Sequence, residues 1–106
     1  MIMTPASSIA GQRVVKTLGL VRGNTIRARH AGRDILAVLK HIIGGEIEEY
    51  TKMMGEAREQ AIDRMAAEAE QLGANAVTDM RFTTAYVMGG AAEVLAFGNA
   101  VVTEPG

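Results

Sequence analysis

His30 and His41 are the only imidazoles in the chain, and there is no cysteine. Soft metals favour thiolate or imidazole, and zinc sites usually combine the two. Neither histidine has a second one at ligand spacing. A metal site would have to recruit a carboxylate such as Glu46, Glu48 or Glu49, or take one histidine from each copy around a symmetry axis. Its residues would be His30, His41 and Glu46. Arginines offer a different chemistry. Arg27 and Arg29 project from the same side of a strand-like run, and Arg33 opens the helical segment that follows. Guanidinium groups beside the free N–H groups of a helix start can hold an anion or small ligand. The competing use of Arg27, Arg29 and Arg33 is pairing with acids of a neighbouring copy. Catalysis has thinner support, because a nucleophile needs a base and an orienting group within reach. Ser7 and Ser8 have no evident partner, and Glu93 is a lone acid in an apolar strand just after a turn. Gly44-Gly45 and Gly89-Gly90 are not followed by the Gly-Lys-Ser/Thr of a phosphate loop. The expectation is a protein that is not an enzyme and has no catalytic residue or required cofactor, with a metal ion as an open option.

The element that must position these groups is a long helix from Glu46 to Leu72. Ile47, Tyr50, Met54, Ala57, Ala61, Met65, Ala69 and Leu72 recur at steps of three and four, making one apolar stripe. Glu49, Lys52, Glu56, Glu59, Gln60, Asp63 and Glu70 fall on the opposite side, towards water. Such a helix is roughly 40 Å long at 1.5 Å per residue, so something equally long must lie beneath it. Gly73 is placed for a left-handed C-cap, with Asn75 tolerating the turn after it.

Upstream, Met1–Thr4 is a short apolar piece halted by Pro5. Arg13–Val21 is rich in branched residues and reads as a strand. Arg22-Gly23-Asn24 is a turn signal. Thr25–Arg29 alternates, with Ile26 and Ala28 facing one way and Arg27 and Arg29 the other. These two runs predict a first hairpin. Ala31-Gly32-Arg33-Asp34 opens a short helix carrying Ile35, Leu36, Leu39, Ile42 and Ile43, which Gly44-Gly45 stops or bends. Downstream, Ala76–Met88 predicts a strand with Met80 and Phe82 on one face and Val77, Asp79 and Arg81 on the other. Gly89-Gly90 turns the chain, and Ala92–Thr103 returns, completing a second hairpin. Val94, Ala96, Gly98, Ala100 and Val102 share one face of that last strand; Leu95, Phe97 and Val101 share the other. Neither face is consistently polar, whereas an antiparallel sheet with helices on one side normally shows a polar outer face. Either the short helix covers the second face or another copy of the chain does. Oligomerisation is the expectation, with cyclic symmetry the usual way to close such contacts.

Composition sets the bounds. The 106 residues suit a single domain spanning 1–106. Aromatics are only 4% against 48% hydrophobic residues, so the core must be aliphatic, with seven Met as adaptable filler rather than a copper site. No apolar run reaches the ~20 residues of a membrane span. The first residues lack the basic start and long apolar run of a signal peptide, and the absence of cysteine fits a reducing compartment. The expected protein is soluble and cytoplasmic, with no membrane partner. A net charge of −1 gives no general attraction to nucleic acid. The charge is unevenly placed. Residues 1–41 hold seven Lys and Arg against one acid, about +6, and the remainder holds four against eleven acids, about −7, which sum to the −1 of the whole. Folding could interleave these within one subunit, or set the basic surface of one copy against the acidic surface of the next.

Several stretches together resemble the YbjQ-like family, small bacterial and archaeal proteins labelled as heavy-metal-binding domains. They are the Arg33-Asp34 helix start, the Gly44-Gly45 break followed by Tyr50, and Glu56-Ala57-Arg58. The strongest are Leu72-Gly73-Ala74-Asn75-Ala76-Val77, and Glu93-Val94-Leu95-Ala96 with Gly98 and Ala100-Val101. The likeness covers nearly the whole chain. It implies an α+β subunit, dodecin-subunit-like, in which an antiparallel sheet of two hairpins packs on one long and one short helix. It also implies a homopentamer, and it brings no established reaction. The chain departs from the family pattern after Gly45, where Glu46-Ile47-Glu48-Glu49 replaces the more usual basic and small residues. The functional expectation is a homo-oligomeric, non-catalytic assembly or binding module. The alternative is a metal- or anion-binding oligomer with sites at subunit interfaces.

Overall fold

The structure is a computed structural model and describes residues 1–28, 46–87 and 91–106. Four strands, β1 (Ile2–Met3), β2 (Gln12–Ala28), β3 (Ala76–Val87) and β4 (Ala91–Pro105), form one sheet, with a single described helix, α1 (Glu46–Gln71). The strand order is β1-β3-β4-β2. The chain is therefore α+β, as expected. The short helix after Ala31 falls outside the described residues.

Two expectations about the sheet are corrected. The first is that it is wholly antiparallel. β4 is antiparallel to both its neighbours, but β1 runs parallel to β3, pairing Ile2 with Ala76 and Met3 with Val77. The sheet is mixed. The backbone groups along the edge of β3 need partners, and the first residues supply them. Thr4 N–H donates to the Val77 carbonyl at 2.9 Å, Met80 N–H to Thr4 O at 3.0 Å and Asp79 N–H to Ala6 O at 3.0 Å.

The second correction concerns the first hairpin. Arg22-Gly23-Asn24 does not turn: β2 runs unbroken for 17 residues and pairs with β4 from Gln12↔Pro105 to Ala28↔Ala91. Gly23 serves a close approach instead. A Cβ there would overlap the backbone Ala61 O and Met65 N of α1 and stand 2.7 Å from Arg64 Cβ. The glycine lets the helix backbone settle onto the strand, so a residue type that reads as a turn marks a close contact partway along an edge strand.

The helix forms as its stripe predicts. Met54, Ala57, Ala61, Met65 and Ala69 are all buried, and α1 lies chiefly over β2, less over β4 and least over β3. Leu72, expected to end the stripe, is 48% exposed because the helix has stopped by then. Gly73 takes φ +90°, its N–H donates to Glu70 O, and Ala74 N–H reaches back to Ala69 O at 3.0 Å. This is the paired bonding of a Schellman stop. Asn75 does more than tolerate the turn. Its amide accepts from Thr103 N–H and donates to Thr103 O, both at 2.9 Å, tying the start of β3 to β4.

Strict alternation along β3 fails at one point. It sets Val77 and Met80 on opposite faces, yet Val77 belongs to the core and Met80 packs against it. The register jumps between Thr78↔Asn99 and Arg81↔Phe97, so two residues oppose Gly98. Asp79, one of the two, has φ +55°. This β-bulge returns Met80 to the core side. Gly98 leaves the room for it, since a Cβ there would lie 2.6 Å from Val77 Cγ1 and 2.9 Å from Thr78 O.

The core is small side chains between one sheet face and one helix stripe: Val21, Val77, Ala92, Val94, Ala96 and Ala100 under Ala57, Ala61 and Met65. On β4, Val94, Ala96, Gly98 and Ala100 share that face as expected, but Val102 is only half-buried whereas Val101, assigned to the other face, is 3% exposed. No helix of the described residues is long and apolar enough to cross a membrane.

Candidate functional site

The candidate anion residues are placed unequally. Arg29 and Arg33 lie outside the described residues. Arg27 is near the end of β2, paired with Ala92, which is 1% exposed in the core. Opposed residues of an antiparallel pair share a face, so Arg27 stands on the helix side, on the face opposite Ile26 as their alternation predicts. There its Nη2 donates to Gln60 Oε1 at 3.0 Å. Among the described residues its Nε, closed off from solvent, meets no acceptor, and the same is true of the hydroxyl of Thr25, two residues earlier. Thr25 is 2% exposed and pairs with core Val94. Sequence reasoning missed Thr25 and set Gln60 among the residues facing water. Gln60 adjoins the buried stripe, one residue before Ala61, which is the signal that could have found it.

Beside Arg27 the surface forms a hollow of about 570 Å³. Arg27, Lys52 and Arg58 supply its positive charge; Glu56, Glu59 and Asp63 supply its negative charge. The balance favours neither a bare cation nor a large polyanion. Among the described residues no three His, Asp or Glu converge closely enough to hold a metal ion. Of the metal candidates, His30 and His41 lie outside the described residues, and Glu46 is the first residue of α1. Glu93 is half-buried on the sheet face away from the helix, where Asn24 Nδ2 donates to its Oε2 at 3.4 Å. Ser7 and Ser8 are exposed.

The charge asymmetry survives folding. Arg13, Lys16, Arg22 and Arg27 all belong to β2, while Glu56, Glu59, Asp63 and Glu70 belong to α1. The two sets are linked by neutral acceptors: Gln60 for Arg27, and the Asn24 carbonyl for Arg64 at 2.6 Å. Among the described residues the sole ion pair is Arg13–Glu104, with both side chains about half exposed or more.

The face of the sheet away from α1 mixes exposed apolar side chains with Arg22, Asn24, Glu93 and Asn99. Leu20 is 61% and Ile26 63% exposed, with half-buried Leu95 and Phe97 on the neighbouring strand. On the helix side, α1 scarcely reaches β3, so Phe82 and Tyr86, which oppose core residues Ala96 and Ala92, are 41% and 71% exposed.

The YbjQ family model, described as "Putative heavy-metal-binding", matches residues 1–104. A UPF0145 protein of Dehalococcoides mccartyi strain 195 is 58% identical over 104 residues, covering 98% of this chain and all of that one. A UPF0145 protein of Methanosarcina acetivorans is 54% identical over 101 residues, covering 95% of each chain. Among solved structures, a Pediococcus pentosaceus protein of unknown function from the DUF74 family has a similar fold, with a TM-score of 0.59 at 14% identity over 98% of both chains. With its helix stop, its bulge and its Glu93–Ala96 strand inside a match that spans 104 of 106 residues, the chain belongs to the YbjQ, or UPF0145, family.

Proposed function

We propose that the protein is a non-catalytic assembly or binding module whose working form is a closed homo-oligomer. The observation that carries this reading is area. The chain exposes 6675 Å², whereas a compact monomer of 11.2 kDa exposes about 5,700 Å². The excess of roughly 1,000 Å² is on the scale of what one partner buries in a stable protein interface, about 800 Å². It coincides with Leu20, Ile26, Phe82 and Tyr86. The radius of gyration, 17.1 Å, exceeds the ~13 Å of a compact chain of this length in the same sense.

The sheet also suggests how copies meet. Among the described residues β2 has no partner strand on its outer side, and β3 has none from Arg81 to Val87 on the other, beyond the reach of β1. Two different edges on opposite sides suit a head-to-tail contact, which closes into a ring if the rotation allows. In that arrangement the β2-side helix of one copy comes beside the uncovered Phe82 and Tyr86 of the next. The segregated charges of β2 and α1 would favour it. The number five comes from the family resemblance. Sedimentation equilibrium should give a mass near five times 11.2 kDa; a monomer at micromolar concentration defeats the reading. Tyr86→Lys should lower the assembled mass, and an unchanged mass rules out the β3 side of the contact. Turnover lost on Glu93→Gln with the fold intact would overturn the non-catalytic part.

Heavy-metal binding, which the family description raises, is tested separately by native mass spectrometry with zinc, copper and nickel. Binding that His30→Ala plus His41→Ala removes would establish it.

A further inference from the structure

Among the described residues, two polar atoms on one strand face are buried without a hydrogen-bond partner, one on fully buried Thr25 and one on half-buried Arg27. Thr25 Oγ1 and Arg27 Nε stand two residues apart on the helix-facing side of β2, opposite Val94 and Ala92. Leaving a buried donor unsatisfied forfeits its hydration without a replacement bond, a loss that is larger when the group is charged. Sequence chemistry offered a cheaper solution, because valine has the shape of threonine and forms strands as well. Among the described residues Gln60 bonds to Arg27 through Nη2, which leaves Nε unmet. Two donors and a fixed positive charge describe a seat for a guest that only accepts hydrogen bonds.

We infer that Thr25 and Arg27 form a binding seat for a small anion, a halide or a compact oxyanion, between β2 and α1. The chemistry is an acceptor-only guest of unit charge. The guanidinium supplies the counter-charge and the threonine hydroxyl turns its proton towards the guest. A large polyanion is disfavoured on two grounds. Thr25 Oγ1 and Arg27 Nε are both closed to bulk solvent, and the hollow that Arg27 lines carries Glu56, Glu59 and Asp63 along with its bases. A metal cation is disfavoured by the positive charge of Arg27 and by the two donors. This inference is independent of the assembly reading. Sedimentation run on the same samples separates the two, since anion binding can fail with the oligomer intact and the reverse.

The test uses the whole protein and three probes: chloride, inorganic phosphate and acetate, each titrated against the melting temperature at constant ionic strength with a weakly bound organic sulfonate as the balancing salt. At least one probe should raise the melting temperature along a saturating curve, as specific binding to the folded state requires. Thr25→Val keeps the shape and removes one donor. It should melt at or above the wild-type temperature without the probe and need about tenfold more probe for the same rise, the scale of one charge-assisted hydrogen bond. Arg27→Met should abolish the rise. Should Arg27→Met fail to fold, Thr25→Val and a bromide-soaked crystal of the wild type still decide, with anomalous density within hydrogen-bond reach of Arg27 Nε as the supporting result. Three outcomes overturn the seat: flat titrations for every probe, equal responses in wild type and Thr25→Val, or a water molecule in place of bromide at Arg27 Nε.

Discussion

The two halves of the sheet are built on opposite plans. Where α1 crosses β2 and β4, contact is so close that Gly23 has no room for a Cβ, and the buried residues are mostly alanine, valine and methionine. Along the far half of β3, and on the face away from the helix, larger apolar side chains stand exposed: Phe82, Tyr86, Leu20 and Ile26. Small residues pack where the subunit can complete its own core; larger apolar ones lie where it cannot. The difference teaches that stability and assembly are written in different residues. Changes in the first region should act on folding, and changes in the second on association.

The largest effect should come from Gly23→Val. The added side chain has to push α1 off β2, and overpacking of this kind costs up to about 3 kcal/mol. For a domain of this size the melting temperature should fall by more than about 10 °C. An unchanged value would mean that the helix does not sit on Gly23. Gly98→Ala is next: crowding against Val77 Cγ1 and Thr78 O should cost about 2 kcal/mol in denaturant unfolding. Its partner in the bulge should respond in the other direction. Asp79 holds φ +55°, which favours glycine, and the bond that Asn99 Nδ2 makes to Asp79 Oδ2 at 3.2 Å is exposed. Asp79→Gly should therefore raise stability by roughly 0.5 kcal/mol. Loss of stability would show that the Asn99 bond outweighs backbone strain. The smallest effect on the subunit belongs to the bare face. Leu20→Lys with Ile26→Lys should move intrinsic stability, read by circular dichroism at low protein concentration, by less than about 0.5 kcal/mol. Assembled mass should drop in the same variant. A large loss of subunit stability would erase the distinction between the two regions.

Much of the covered region was legible beforehand. The Met54-Ala57-Ala61-Met65-Ala69 stripe has the helical period, and Gly73 stops the helix as read, because both signals are local. The second hairpin was equally plain from alternation on either side of a glycine pair. The errors have one cause: a residue chosen for a long-range contact can look like a local signal. Gly23 reads as a turn between two strands, yet it yields to Ala61 and Met65, which lie far along the chain. The bulge at Asp79 was hidden because alternation assumes that no residue is inserted. The parallel pairing of β1 was hidden because two residues carry too little pattern. Of the candidate site residues, Arg27 was read on the face opposite Ile26, with no indication that this face is the one that meets the helix. Its acceptor Gln60 and its neighbour Thr25 were not linked to it, since that association exists only once helix and strand have met.

Sequence by itself determined the helix, its stop, the closing hairpin, an aliphatic core and the split between basic and acidic halves. Each follows from spacing, backbone preference or composition within a short window. Tertiary structure decided that β2 runs unbroken, that β1 joins β3 in parallel, that two buried donors lie side by side, and which apolar residues remain uncovered. Those depend on how closely distant segments approach, which is set by side-chain volume and by the geometry of the sheet.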